Sequence, residues 1–438
     1  MKSQSIFQIR KERVNKLFFL PKFRLGDYLM LQKSDVVRGI FYFGILFAYL
    51  SSATPWFLHS VFLISPLIAA IPIGLSLLLS NGLKTSLFSH QDYLRSFLAY
   101  SVYAMVVAVL NGRNIFGLVF LSFDLVIFFS IFKLDPSELS RLSDFFAKVM
   151  GCLLSVSIPF YLLYLAGFPL PHSSFKPGSL DYSYENYRFF LIDDRFSFEL
   201  IPRFHSVFLE PSHLAMLCIT LLASQIGKWR RWYNIILFVA IIMSFSLAGY
   251  IFLVFLFLAA RWLKHKPVVG IIISMVFALA VGVIVALNYN KGDNLVNQLI
   301  VQRLIINEDG ELEGDNRVTS MFQNEYEKMI KSSDVLVGRG TESTKIFGFG
   351  NAGYKVYIYQ HGIICLVLLV ILLFTIAFLS PYPRSRWVFL AIQFLSFIPH
   401  ATPVKYYFFI PLFILLYQSF DFHKEKLPTL SQWKQSNA

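Results

Sequence analysis

Apolar runs of about 17–23 residues recur along this chain, each long enough to cross roughly 30 Å of hydrocarbon as a helix. They predict twelve spans, at about 37–55, 60–80, 95–111, 114–132, 147–167, 207–226, 232–246, 247–262, 268–288, 356–379, 385–399 and 404–420. The stretch 232–262 could form one long helix, but Ser244, Ser246 and Gly249 predict a tight turn that divides it. The predicted fold is an all-α polytopic membrane protein of about twelve transmembrane helices. It has a basic N-terminal segment (1–36), a membrane domain (37–420) and a short tail (421–438).

Basic residues orient this arrangement, because short cytoplasmic connections collect Lys and Arg. The segment "IRKERVNKLFFLPKFR" is strongly positive, and alternate connections repeat the signal. These hold Lys84 and Arg95; Lys133, Arg141 and Lys148; "KWRR"; "RWLKHK"; and Arg384 with Arg386. Both termini are therefore expected in the cytoplasm. The first 35 residues are basic and precede the first apolar run, so no cleavable signal peptide is expected.

Two connections are long, at about 168–206 and 289–355, and this orientation places both outside. Long loops in a compact bundle are usually functional. The second contains an amphipathic pattern, with Val318, Met321, Phe322, Tyr326 and Met329 at helical spacing. Its Gly-rich end, "GRGTESTKIFGFGNAGYK", lacks the G-K-[ST] of a phosphate loop and the strand–helix setting of a dinucleotide fingerprint.

Composition changes this picture little. Residues are 56% hydrophobic and 15% charged, with 47 Phe and 22 Tyr, as expected for a chain bathed in lipid. The formal charge of +13 is mostly the orientation signal, so it does not indicate nucleic-acid binding. A basic N-terminus also suits anionic lipid. Cys152, Cys218 and Cys365 all fall within predicted spans without metal-ligand spacing, so neither a disulfide nor a zinc framework is expected.

The chemistry concentrates at the start of the sixth span, in "RFHSVFLEPSHLAMLCITLLA" (203–223). Pro211 suits the first helical turn, which puts Glu210 near the N-cap and spaces it to share a face with His213. Arg203, seven residues earlier, is close enough to fold back over the helix end. A helix N-terminus beside an Arg favours phosphate or pyrophosphate. The alternative is an interfacial ion pair between Arg203 and Glu210, with His213 as a polar cap. His59, His172, His205 and His400 are expected as polar groups at headgroup level. The segment "DYSYENYRFF" (181–190) suits either sugar stacking or an interfacial belt.

In order, these elements resemble the O-antigen polymerase and O-antigen ligase superfamily of bacterial inner membranes. An external loop ends in Arg203, then Glu210, Pro211, Ser212, Leu214 and Ala215. Two short spans follow around Ser244, Ser246, Gly249 and Tyr250. A large external loop then carries Arg317 and "VGRG" at 337–340, ahead of "YKVYIYQHGIICLVLL" with Gly362. Many members carry Ser-Arg where this chain has Ser246-Leu247. Ligases place a functional His in the large loop near the next span. Here the nearest is His361, directly before Gly362, so the polymerase side is favoured.

The resemblance implies glycosyl transfer on the outer face of the membrane. The donor is an undecaprenyl-pyrophosphate-linked oligosaccharide, the acceptor another lipid-linked repeat unit, and the product an O-antigen, capsule or exopolysaccharide chain. It implies catalytic roles for Glu210, Arg203, His213 and His361, with Glu210 first among them as general base. Substrate contacts fall to Arg203, Arg317, Arg339 and Ser246. No cofactor or metal is expected, because Arg side chains and a helix N-terminus serve the pyrophosphate. Neither external loop holds an Asp-x-Asp motif. Membrane lipid and a chain-length regulator complete the expected partners. The alternatives are an O-antigen ligase, a lipid-oligosaccharide flippase or transporter, and a non-catalytic scaffold. No convincing repeat relates the two halves, as many transporters would show.

Overall fold

The computed structural model describes residues 25–83, 93–112, 115–178, 183–194, 201–264, 319–347, 353–400 and 404–418, with a few isolated residues between these segments. The fold is mostly helical. Helix α1 is Leu25–Ser52, followed by a 3-10 stretch at Trp56–Ile64 and α2 at Ser65–Leu83. Then come α3 (Tyr93–Leu110), α4 (Ile115–Lys133) and α5 (Pro136–Leu165). After the first long loop come α6 (Pro211–Ser224), α7 (Trp232–Met243) and α8 (Leu247–Leu263). The second long loop contains α9 (Ser320–Ile330), and α10 (Tyr354–Leu379), α11 (Pro383–Phe397) and α12 (Tyr406–Leu416) end the described chain.

Eleven of the twelve predicted spans coincide with one of these helices; the run at 268–288 lies outside the described residues. Five helical segments are long and apolar enough to cross a membrane. Their outward faces are apolar, as with Leu63 (79% exposed), Leu78 and Val109. Such extensive exposed apolar surface is what lipid, rather than water, would cover.

The shorter helices occupy the centre. Every residue of α12, and every residue of α6 from Leu214 onward, is buried. A helix apolar all round has no polar face to show water and goes to the interior. Helix α6 is about 21 Å long and α12 about 16 Å at 1.5 Å per residue. They are shorter than the predicted 207–226 and 404–420. Surrounded by protein, they can give way to irregular backbone at membrane depth, provided its polar groups are bonded within the protein.

One small sheet accompanies the helices. The first long loop folds into an antiparallel three-stranded sheet, β1 (Ser173–Phe175), β2 (Tyr184–Asn186) and β3 (Leu191–Asp193), in sequence order. Tyr184, Leu191 and Ile192 are buried, so packing against the bundle provides the stability that such short strands lack alone. The break expected near Ser244 is present, with α7 ending at Met243 and Ser246 capping α8. The amphipathic helix is present as α9, burying Phe322, Tyr326 and Met329 while Met321 faces outward.

At the end opposite the long loops, polar groups pin the bundle. Glu138 is buried and meets Arg38 at 3.2 Å, Arg141 at 2.5 Å and the Tyr42 hydroxyl at 3.0 Å. Lys228 meets Asp144 at 2.7 Å, and Gln225 joins them through Asp144 and Ser143.

Candidate functional site

The segment 202–209 is threaded between five elements, and its backbone is bonded to each. Tyr161 donates to the Pro202 carbonyl, and the Phe204 amide donates to Met243 O at 3.3 Å. The Leu191 amide donates to Ser206 O at 2.8 Å, Trp56 N to Val207 O at 3.0 Å, and the Tyr184 hydroxyl to Leu209 O at 2.9 Å. This path forces left-handed backbone on Ser206 (φ 53°) and, across the Phe204–Met243 contact, on Phe245 (φ 47°). Non-glycine residues in that region cost about 1–2 kcal/mol each and cluster at functional sites.

His205 lies within this segment. It is buried, and its Nδ1 bonds the Phe208 carbonyl. Burial pushes its pKa down to about 4, so at neutral pH the ring is uncharged and Nδ1–H donates. The unfolded ring titrates near 6.5, so the unfolded state binds the extra proton between that value and about 4. Stability is therefore expected to be complete above that window and to fall through it on acidification, by at most on the order of 3 kcal/mol. Thermal unfolding of purified protein across the window, compared with His205→Asn, measures this; a variant with an equally steep pH dependence would contradict it.

The turn between α7 and α8 explains the Ser-x-Ser-x-x-Gly-Tyr pattern. The Ser244 carbonyl accepts from Arg203 Nε at 3.4 Å. Ser246 Oγ accepts the Gly249 amide at 3.2 Å, which caps α8. A Cβ on Gly249 would stand 2.8 Å from Ala215 Cβ, so glycine permits α8 to approach α6. Tyr250 closes the turn by donating to Ile242 O at 2.6 Å. Ser246, expected at the substrate, is thus buried and serves as the cap.

Glu210 is the N-cap of α6, with Pro211 in the first turn as expected. Its side chain does not cap its own helix. It is about half exposed (52%), accepts from Ser212 Oγ at 3.0 Å and lies 3.8 Å from His213 Nε2. The contacts of Glu210 thus run along its own helix rather than back to Arg203. The other ring nitrogen of His213, Nδ1, is buried with no hydrogen-bond partner among the described residues. That ring faces His400 at 5.9 Å and Tyr407 at 6.4 Å between centroids. Lys405, at the start of α12, is close enough to act electrostatically on both Glu210 and His213.

His361 stands on another wall. Its Nδ1 lies 3.1–3.2 Å from the Asn111 amide group, and its ring packs on Tyr357 at 4.7 Å. It lines a cavity of about 520 Å³, whose lining also includes Lys405. Lys405 therefore joins the Glu210 group to the His361 group. Arg339 is engaged inside the second loop, with Asp334 at 3.0 Å, Glu325 at 3.5 Å and the Tyr359 hydroxyl at 3.2 Å. Its guanidinium also stacks on the Tyr359 ring at 5.4 Å. Arg317 lies outside the described residues.

Three further expectations can be placed. Tyr184 and Tyr187 of the Tyr-rich segment are buried, bonded to Leu209 O and Glu185, so they pack rather than offer stacking faces. His59 and His172 pack on Phe175 and Tyr187. His400 leaves the expected headgroup role to join His213. Lys405 was not anticipated from the sequence. The signal was there: a lysine in the first turn of the predicted span 404–420, at the end that the charge pattern assigns outside, where such residues are otherwise scarce.

Comparison with family models, curated proteins and solved structures finds no match to this chain. The site therefore rests on its own geometry. Among the described residues, no three His, Cys, Asp or Glu side chains converge as a metal site would require.

Proposed function

We propose that this chain is a membrane glycosyltransferase. It joins repeat units carried on a polyprenyl pyrophosphate, on the outer face of a bacterial inner membrane, as a polymerase of O-antigen, capsule or exopolysaccharide. The observation that carries this reading is the carboxylate–imidazole pair of Glu210 and His213 at a helix N-terminus. It stands beside a lysine that lines a largely apolar cavity. Such a site offers a base for a hydroxyl and a cation for a phosphate, within reach of a lipid chain.

In this mechanism Glu210 takes the proton of the acceptor hydroxyl, and the acceptor oxygen forms its bond to the anomeric carbon. The bond from that carbon to the phosphate oxygen breaks, and the lipid pyrophosphate leaves with the electron pair. His213, 3.8 Å from the carboxylate, positions Glu210, and the half-exposed carboxyl then passes the proton to water. The rigid 202–209 segment keeps the helix end in place, which is the preorganisation that charge stabilisation needs. Arg203, at the Ser244 turn, belongs to the same rigid frame.

A carrier protein would use a cavity of this kind differently, and the lipid-linked species that accumulates when the gene is removed separates the readings. Single repeat units on the outer leaflet are expected. Units held on the inner leaflet would indicate a flippase, and full-length chains left on the carrier a ligase; either contradicts the proposal.

A further inference from the structure

The cavity beside His361 is lined by two kinds of side chain. Phe62, Leu63, Phe120 and Leu121 form an apolar side, and Phe62 and Leu63 are exposed on the bundle surface, so the cavity meets the region that lipid would cover. Polar groups line it as well, and most are already engaged. Asp124 accepts from the Tyr406 hydroxyl, Tyr103 and Tyr357 pair at 3.0 Å between hydroxyls, and His361 meets Asn111. Lys405 differs. Its ammonium makes no hydrogen bond or ion pair among the described residues, although it lines this largely apolar space.

An ammonium so placed sets a positive charge beside apolar side chains, and an anion entering the cavity would meet it as a counter-charge. The carboxylate that acts on it electrostatically is Glu210, which does not line the cavity. A ligand that suits both kinds of lining has an anionic head and a long apolar chain. We propose that Lys405 holds the pyrophosphate of the lipid-linked donor, with the isoprenoid chain lying along Phe62, Leu63, Phe120 and Leu121. This rests on the transferase reading above and adds to it the residue and the cavity that receive the donor. The reacting sugar is then placed between a phosphate at Lys405 and a base at Glu210.

The test uses full-length protein in nanodiscs of a neutral phospholipid, with a diazirine-bearing decaprenyl pyrophosphate as probe. Photolabelling is expected on peptides containing Phe62–Leu63 or Phe120–Leu121. Lys405→Met should lower it by about tenfold or more, since charge-assisted contacts are worth about 1.5–3 kcal/mol. Lys405→Arg keeps the charge and should keep most of the labelling, which separates lost contact from lost folding. Unlabelled decaprenyl pyrophosphate should compete, and phosphatidylglycerol at the same concentration should not. Unchanged labelling in Lys405→Met, labelling confined to other peptides, or equal competition by phosphatidylglycerol would each overturn the assignment. Labelling is read without turnover. Wild-type protein that lengthens glycans, with Lys405→Met labelled normally, removes this inference alone. Lys405-dependent labelling of a protein that never lengthens glycans removes the transferase reading alone.

Discussion

Glu210→Gln is expected to yield a folded, membrane-inserted protein that lengthens glycans about 10²–10⁴-fold more slowly, the usual contribution of a general base. The change preserves shape and removes basicity. Glu210 is half exposed and does not cap its own helix, so the fold loses little with its charge. Ser212 Oγ and His213 Nε2 can still meet the amide. The measurement is the rate of chain extension by purified variant, normalised to monodisperse protein. His213→Gln should cost less, because its ring reaches the reaction through Glu210. A Glu210→Gln protein that extends chains at the wild-type rate would remove Glu210 from the chemistry and leave His213 and His361 as the bases to test.

The second large effect is expected at Gly362, where α10 breaks with φ 73°. The loop 336–340 lies directly against the break: Ile364 N donates to Leu336 O at 3.1 Å, and Arg339 N donates to Tyr359 O at 2.8 Å. A Cβ on Gly362 would stand 2.4 Å from Leu336 O, and one on Gly338 (φ 76°) 2.5 Å from Gln360 O. Both neighbours are backbone and cannot turn aside. Gly362→Ala therefore adds an unrelieved clash to a left-handed cost of about 1–2 kcal/mol. It should also displace His361 and the mini-core of Phe322, Tyr326, Met329, Phe347 and Tyr359. Gly340→Ala is the control, since its φ of 81° carries the same backbone cost with open space around the new Cβ. Hydrogen exchange across 320–336 should accelerate strongly in Gly362→Ala and modestly in Gly340→Ala. Equal acceleration in the two would show that the interlock does not hold the loop.

Much of this fold was legible because lipid-length apolar runs and helix period are local properties. The runs mark the helices, and Pro211 and Ser246 mark where two of them start. The sheet was not legible, because its strands have three residues each and depend on burial against the bundle. The site was half legible. Glu210 and His213 are three residues apart, so helical spacing alone brings them together. His400 and Lys405 reach them from roughly 190 residues further along, through packing of α12 on α6, and no local pattern encodes that. Arg203 showed the limit of spacing. Seven residues from Glu210, it is carried by the irregular 202–209 segment to the Ser244 carbonyl instead.

The most direct measurement reconstitutes the purified chain in liposomes with a single lipid-linked repeat unit as both donor and acceptor. The expected result is a ladder of chains at multiples of one unit, with one lipid pyrophosphate released per bond formed. Repeat units that stay single, whether or not they change leaflet, would contradict glycosyl transfer by this protein.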